Sequence, residues 1–148
     1  MTPGEVDELL AGRRSLALAT TGPDGRVHLV AMWYGFVDGR LAIETKAKSQ
    51  KAFNLRRDPR FTGLVEAGDT YDELRGVELV GQATLVEDPD TLWRIGVSVF
   101  SRYFAPVAPE TEPMVEQMLR KRVGFFLDAD RTVSWDHRKL AAPGQPPP

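Results

Sequence analysis

The sequence predicts a mainly β (α+β) domain, a closed antiparallel barrel with a few peripheral helices, and three observations carry that expectation. Apolar-rich runs of strand length follow one another closely, bounded by Gly, Pro and Asp turn residues. Asp38-Gly39, set between two such runs, is the dipeptide best suited to a tight hairpin turn. Consecutive strands are joined by short turns, which argues for a closed antiparallel barrel over a parallel α/β sheet.

Val6 to Leu10 predicts a short helix, with Val6, Leu9 and Leu10 on one side and Asp7 and Glu8 on the other. Ser15 to Thr21 reads as a strand, and Gly22-Pro23-Asp24-Gly25 as a turn. A long β run from Val27 to Val37 follows, then the Asp38-Gly39 turn and the returning strand Leu41 to Thr45. Ser49 to Arg57 predicts a short helix, ended by Asp58-Pro59 because the residue before Pro is pushed out of helical backbone. Phe61 to Glu66 and Val77 to Val86 are the next strands, with Gly76 and Gly81 as bend or bulge positions.

From Pro89 the period is helical: Leu92, Ile95 and Val99 share one face, and Trp93, Val97, Phe100 and Phe104 lie beside it. Pro106 and Pro109 separate this helix from a shorter one at Glu112 to Arg122. A closing hairpin is expected from Val123 to Leu127, a turn at Asp128-Ala129-Asp130, and Thr132 to Asp136. One domain over residues 1–140 results, and the Pro-rich stretch 141–148 is expected to be a disordered tail.

The chain has 148 residues, 42% of them hydrophobic, and a formal net charge of -2, so nothing draws it as a whole to nucleic acid or an anionic membrane. No apolar run reaches the roughly 20 residues of a membrane helix, and the acidic N-terminus has no signal-peptide core. Cysteine is absent, which excludes disulfides and thiolate chemistry and fits a cytoplasmic location. Only Lys46, Lys48, Lys51, Lys121 and Lys139 among the 19 basic residues are lysine, an arginine bias that suggests a GC-rich genome.

Local charge is densest at Thr45-Lys46-Ala47-Lys48-Ser49-Gln50-Lys51, followed by Arg56, Arg57 and Arg60. There a strand passes into a helix N-terminus, whose free N–H groups and dipole favour an anion. The hydroxyls of Thr45 and Ser49 and the ammonium groups of Lys46, Lys48 and Lys51 add charge-assisted hydrogen bonds, so phosphate is the expected guest. The competing reading is a solvated helix start with Ser49 as N-cap. His28 and His137 are dispersed and read as surface or packing residues, so no metal cluster or Ser-His-Asp triad is expected.

Met32-Trp33-Tyr34, Asp38-Gly39, Thr45 to Lys51, Asn54-Leu55-Arg56-Arg57-Asp58-Pro59-Arg60 and Leu74-Arg75-Gly76-Val77-Glu78 together carry a resemblance. Over roughly Leu9 to Asp136, the chain resembles the pyridoxamine 5'-phosphate oxidase-like split-barrel flavin and deazaflavin proteins. It is most similar to their actinobacterial branch, which uses the deazaflavin coenzyme F420. The resemblance implies an FMN-binding type of split barrel, a homodimer, and two cofactor sites at the subunit interface. It implies that Lys51 and Ser49 hold the cofactor phosphate, with Thr45, Lys46, Lys48 and Gln50 around it. The backbone of Val30, Ala31, Met32 and Trp33 is implied to face the ring. Arg56, Arg57 and Arg60 either reach the phosphate or an acidic tail, or remain a solvated helix end.

The function so implied is hydride transfer between F420 and a small conjugated organic molecule, the difficult chemistry belonging to the cofactor. FMN in the same seat is the first alternative; a non-enzymatic flavin, haem or small-ligand binding protein is the second. Trp33 serves either as core or dimer packing or as a wall of the cofactor site. Trp135 is placed to approach the partner's ring. The loops from Ala67 to Glu73 and Tyr103 to Glu112 are expected to shape substrate choice.

Overall fold

The computed structural model describes residues 1–140; the expected Pro-rich tail at 141–148 lies outside the described residues. Seven strands form one sheet: β1 (Leu16–Thr21), β2 (Val27–Met32), β3 (Gly35–Val37), β4 (Arg40–Lys46), β5 (Arg60–Ala67), β6 (Arg75–Val86) and β7 (Arg122–Asp136). All neighbours are antiparallel, in the order β2-β1-β5-β6-β7-β4-β3. Four helices accompany the sheet: α1 (Pro3–Ala11), α2 (Gln50–Arg57), α3 (Pro89–Tyr103) and α4 (Glu112–Leu119).

The sheet curls around one apolar cluster that draws Leu18 from β1, Ile43 from β4, Val65 from β5, Val77 from β6 and Phe125 from β7. Burying such side chains fully stabilises the fold by about 1.5–3 kcal/mol each. A second cluster fills the other face of β4 and β7, where Ala42 and Phe126 meet Ile95 and Val99 of α3. Because β2 and β3 end the sheet on opposite sides, the barrel is split and not closed as the strand succession alone predicts.

That arrangement corrects the single run expected from Val27 to Val37. The run breaks at Trp33-Tyr34 and its halves go to opposite edges. Tyr34 is fully buried, its hydroxyl donating to the Leu10 carbonyl at 2.9 Å. Gly35 then passes so close to α3 that a Cβ there would lie 2.5 Å from Ser98 Oγ. Phe36 N–H donates to that same hydroxyl at 2.8 Å. A strand that must cross from one edge to the other cannot keep its ladder through the crossing.

A second correction concerns Asp128-Ala129-Asp130, which is no turn. The strand β7 runs unbroken to Asp136 because the long β6 pairs with it throughout. Val80 faces Arg131 and Gly81 faces Ala129, so Asp130 is the extra residue of a bulge. Gly81 permits it: a Cβ there would meet the Asp128 carbonyl at 1.9 Å. The helix expected through Arg122 also stops sooner, at Leu119. Lys121 takes a left-handed φ of 58°, and Arg122 already belongs to β7.

Local expectations hold at the Asp38-Gly39 turn and at the ends of α2. Asp38 and Gly39 have φ of 53° and 76°, a primed turn that pairs Val37 with Arg40. Ser49 caps α2 and Asp58 ends it ahead of Pro59. The first helix is longer than expected because Thr2 and Glu5 form a capping box ahead of Val6. Among the described residues no helix is long and apolar enough to cross a membrane.

Candidate functional site

The last residues of β4 point the chain into a short turn, and the turn feeds α2. Thr45 is buried, 4% exposed. Its hydroxyl lies 3.2 Å from Ser49 Oγ and accepts from the Lys51 ammonium at 3.3 Å. Ser49 N–H donates to the Lys46 carbonyl at 2.9 Å, closing the turn, and Ser49 Oγ accepts from Ala52 N–H at 3.4 Å. The backbone amides of Gln50 and Lys51 take no acceptor among the described residues, as the first turn of a helix requires. Two hydroxyls, two free amides and an ammonium group therefore meet at one corner.

The corner is electropositive. Lys46, Lys48 and Lys51 form no salt bridge among the described residues, whereas Arg56, Arg60 and Arg122 each pair with an acid. Burial pushes the Lys51 ammonium below the usual lysine range and Arg122 pushes it the same way, while Glu44 works against both. An anion placed there would relieve this strain on the charged form.

Neighbouring side chains fix the corner in place. Gln50 donates to Asn54 Oδ1 at 2.9 Å, and the fully buried Asn54 donates to Thr20 Oγ1 at 3.0 Å, tying α2 to β1. Arg56 donates to the Ala47 carbonyl at 2.7 Å and holds the turn from the helix side. Arg57 sits at the opposite end of α2 and donates to the Thr21 carbonyl, while Arg60 pairs with Asp58 at 2.7 Å.

Strand β2 pairs with β1 along one side, and among the described residues its other backbone edge meets no strand. Ala31 faces outward, Val30 and Met32 are half-buried, and Trp33 is 46% exposed. The indole of Trp33 packs on Tyr103 and edge-on to Phe104. Among the described residues no hydrogen bond joins this strand to the Thr45–Lys51 corner. A separate concavity of about 430 Å³ opens over β1, β5 and β6, lined by Val27, Thr62 and Val80 among others, away from the lysines.

A family model described as pyridoxamine 5'-phosphate oxidase matches residues 2–136, from α1 to the end of β7. The chain belongs to the pyridoxamine 5'-phosphate oxidase family. None of the curated proteins matches it. Among solved structures it is similar to the conserved hypothetical protein Rv2991 from Mycobacterium tuberculosis. Identity is 55% with a TM-score of 0.93, over 99% of this chain and 91% of that one. It is also similar to a protein titled F420 reductase, at 24% identity and TM-score 0.65, covering 86% of this chain and 94% of that one. HutZ, a heme storage protein from Vibrio cholerae, is 18% identical with a TM-score of 0.70, covering 90% and 93% of the two chains. The last two likenesses are of fold.

Within this pyridoxamine 5'-phosphate oxidase-family split barrel, the structure brings Thr45, Ser49 and Lys51 into one hydrogen-bonded set, with Lys46 and Lys48 in the turn between them. Gln50 turns its amide to Asn54, and Arg57 lies a helix length away. Sequence reasoning missed Glu44 and Arg122. The carboxylate of Glu44, 8% exposed, accepts from Arg122 at 2.8 Å beside the corner. A lone acid inside the apolar run Leu41 to Thr45 was the available signal for Glu44; Arg122 had none, because its segment read as helix.

Proposed function

We propose that this family member is an F420-dependent oxidoreductase, a reductase that works as a homodimer on a small conjugated organic molecule. The observation that carries the reading is the corner itself. Lys51 bonds a Thr–Ser hydroxyl pair beside the free amides of a helix start, and Lys46 and Lys48 stand without salt bridges in the turn leading to it. The residues fit a phosphate: Lys51 spends one weak hydrogen bond on Thr45 and keeps further donors to offer.

When bound, the deazaflavin supplies the hydride chemistry. The acceptor gains that hydride and a proton from water. For the chain's own part, Lys51, Ser49 and the α2 amides hold the phosphate, and the open edge of β2 offers backbone groups to the ring. An apolar groove of about 450 Å³ between α3 and α4, lined by Phe100, Phe104, Met114 and Met118, adjoins Trp33 through Phe104. It suits a flat apolar acceptor.

The dimer reading rests on the outward face of β2 and its neighbours. Val27 and Leu29 are 70% and 66% exposed, and beside them Ala31, Ala17 and Ala19 continue the same face. Apolar side chains at this density on a sheet face call for a covering partner, and a second copy supplies an identical one.

The test is titration of the purified protein with F420 and with FMN, followed by tryptophan fluorescence and calorimetry. Micromolar binding of F420 without FMN supports the reading. Binding of FMN instead moves the cofactor to FMN, whose ribityl phosphate suits the same seat. Binding of neither overturns it. Acceptor-dependent oxidation of reduced F420 by a quinone or enone separates an enzyme from a protein that only binds its ligand.

A further inference from the structure

We infer that Arg122 is a second cationic wall of the anion seat, held in reserve by Glu44 until a cofactor phosphate takes over its guanidinium. The inference rests on the phosphate reading given above and names a residue that the reading does not include.

Arg122 reaches the seat only through the tertiary fold. Strand β7 lies against β4 with Lys46 opposite Arg122 and Thr45 opposite Val123. Just past that pair, the Ala47 N–H donates to the Lys121 carbonyl at 2.9 Å. The turn that carries Lys46, Ala47 and Lys48 is thus fastened to the start of β7. Lys121 holds its left-handed backbone at that bond, and non-glycine residues in such backbone gather at functional sites. The segment Lys121-Arg122 is therefore held beside that turn, with Arg122 within electrostatic reach of Lys51.

Charge explains the role of Glu44. Lys46, Lys48, Lys51, Lys121 and Arg122 all belong to the β4–α2 junction or to the start of β7 fastened to it, and among the described residues Glu44 is the carboxylate that pairs with any of them. The pair Arg122–Glu44 spans 2.8 Å, with Glu44 8% exposed and the Arg122 side chain 29% exposed. Burial raises the Glu44 carboxyl above the ordinary range, and Arg122 opposes that rise. A buried acid in a cluster of cations is a poor choice for binding an anion and a good one for keeping the empty seat intact. It neutralises one cation and aims it. An arriving phosphate offers Arg122 a better acceptor, since the guanidinium fork matches phosphate oxygens two at a time.

Two variants test this with two ligand pairs: FMN against riboflavin, which differ only in the phosphate, and F420 against its deazaflavin chromophore, which lacks the phosphate and the acidic tail beyond it. Glu44→Gln keeps an acceptor for Arg122 and removes the competing charge, so the phosphate-bearing ligand should bind about five-fold tighter. Its phosphate-free counterpart should be unaffected. In the Glu44→Gln background, Arg122→Gln strands no buried charge, and it should weaken the phosphate-bearing ligand by about ten-fold. Unchanged discrimination in the double variant overturns the inference and leaves the proposed function standing. Parallel weakening of both members of a pair marks Arg122 as a structural partner of Glu44 and overturns it too. If the unmodified protein binds neither F420 nor FMN, the function and the inference fall together.

Discussion

The indole of Trp33 lies flat on the ring of Tyr103, with 4.8 Å between centroids and 8° between planes. Tyr103 is itself pinned, its hydroxyl donating to the Arg14 carbonyl at 2.5 Å and accepting from Tyr34 N–H at 3.4 Å. The end of α3 thus fixes the residue at which the chain leaves one sheet edge for the other. Trp33→Ala should cost about 0.5–1.5 kcal/mol of unfolding free energy, the scale of an aromatic pair. Urea titration measures the loss, and a cofactor titration of the same variant reports whether the indole also contacts the ring.

Lys51 is the cation best placed for the phosphate, half-buried and bonded to Thr45. Lys51→Ala should weaken cofactor binding by about 1.5–3 kcal/mol, the scale of a charge-assisted hydrogen bond. Calorimetry on a variant whose circular dichroism matches the parent protein reads the change directly. An affinity equal to the parent's removes the seat.

Leu29 stands on the outward face of β2 and is 66% exposed. Leu29→Glu should leave the protomer folded, since the side chain packs against little, and should shift a dimer toward monomer. Sedimentation velocity at several concentrations distinguishes the two states. A variant sedimenting as the parent does moves the subunit contact elsewhere.

Acid should loosen the end of β7. The Arg138 guanidinium grips Asp136 with two hydrogen bonds, at 2.8 and 2.6 Å, and holds its carboxyl down to about 2 from the ordinary 3.8. A depressed carboxyl contributes stability that is complete above its unfolded value and is lost as pH falls through the folded one. Asp136→Asn should therefore be less stable than the parent at pH 6, and the gap should close between pH 3.8 and about 2. Urea midpoints across that range give the comparison; a gap independent of pH would mean that the ion pair is not its source.

How much of this was legible in the sequence differs from element to element. Asp38-Gly39, Ser49 and Asp58-Pro59 carry their turn or cap chemistry locally, so hairpin and helix stood where the residues placed them. The basic stretch Lys46 to Lys51 is contiguous, and a contiguous charge cluster can be seen without a fold. The turn chemistry of Asp128-Ala129-Asp130 was equally visible and was overridden, because the ladder with β6 outweighs a three-residue preference.

Sequence alone determined the period of each apolar run, the turns between most of them, and the place where positive charge accumulates. These depend on neighbours within a few residues. Tertiary structure decided that β2 and β3 part to opposite edges, and that Arg122 comes to lie beside Lys46 from far along the chain. Strand pairing joins residues whose separation in sequence carries no local signal, so the partner of the lysine corner appears only once the sheet has formed.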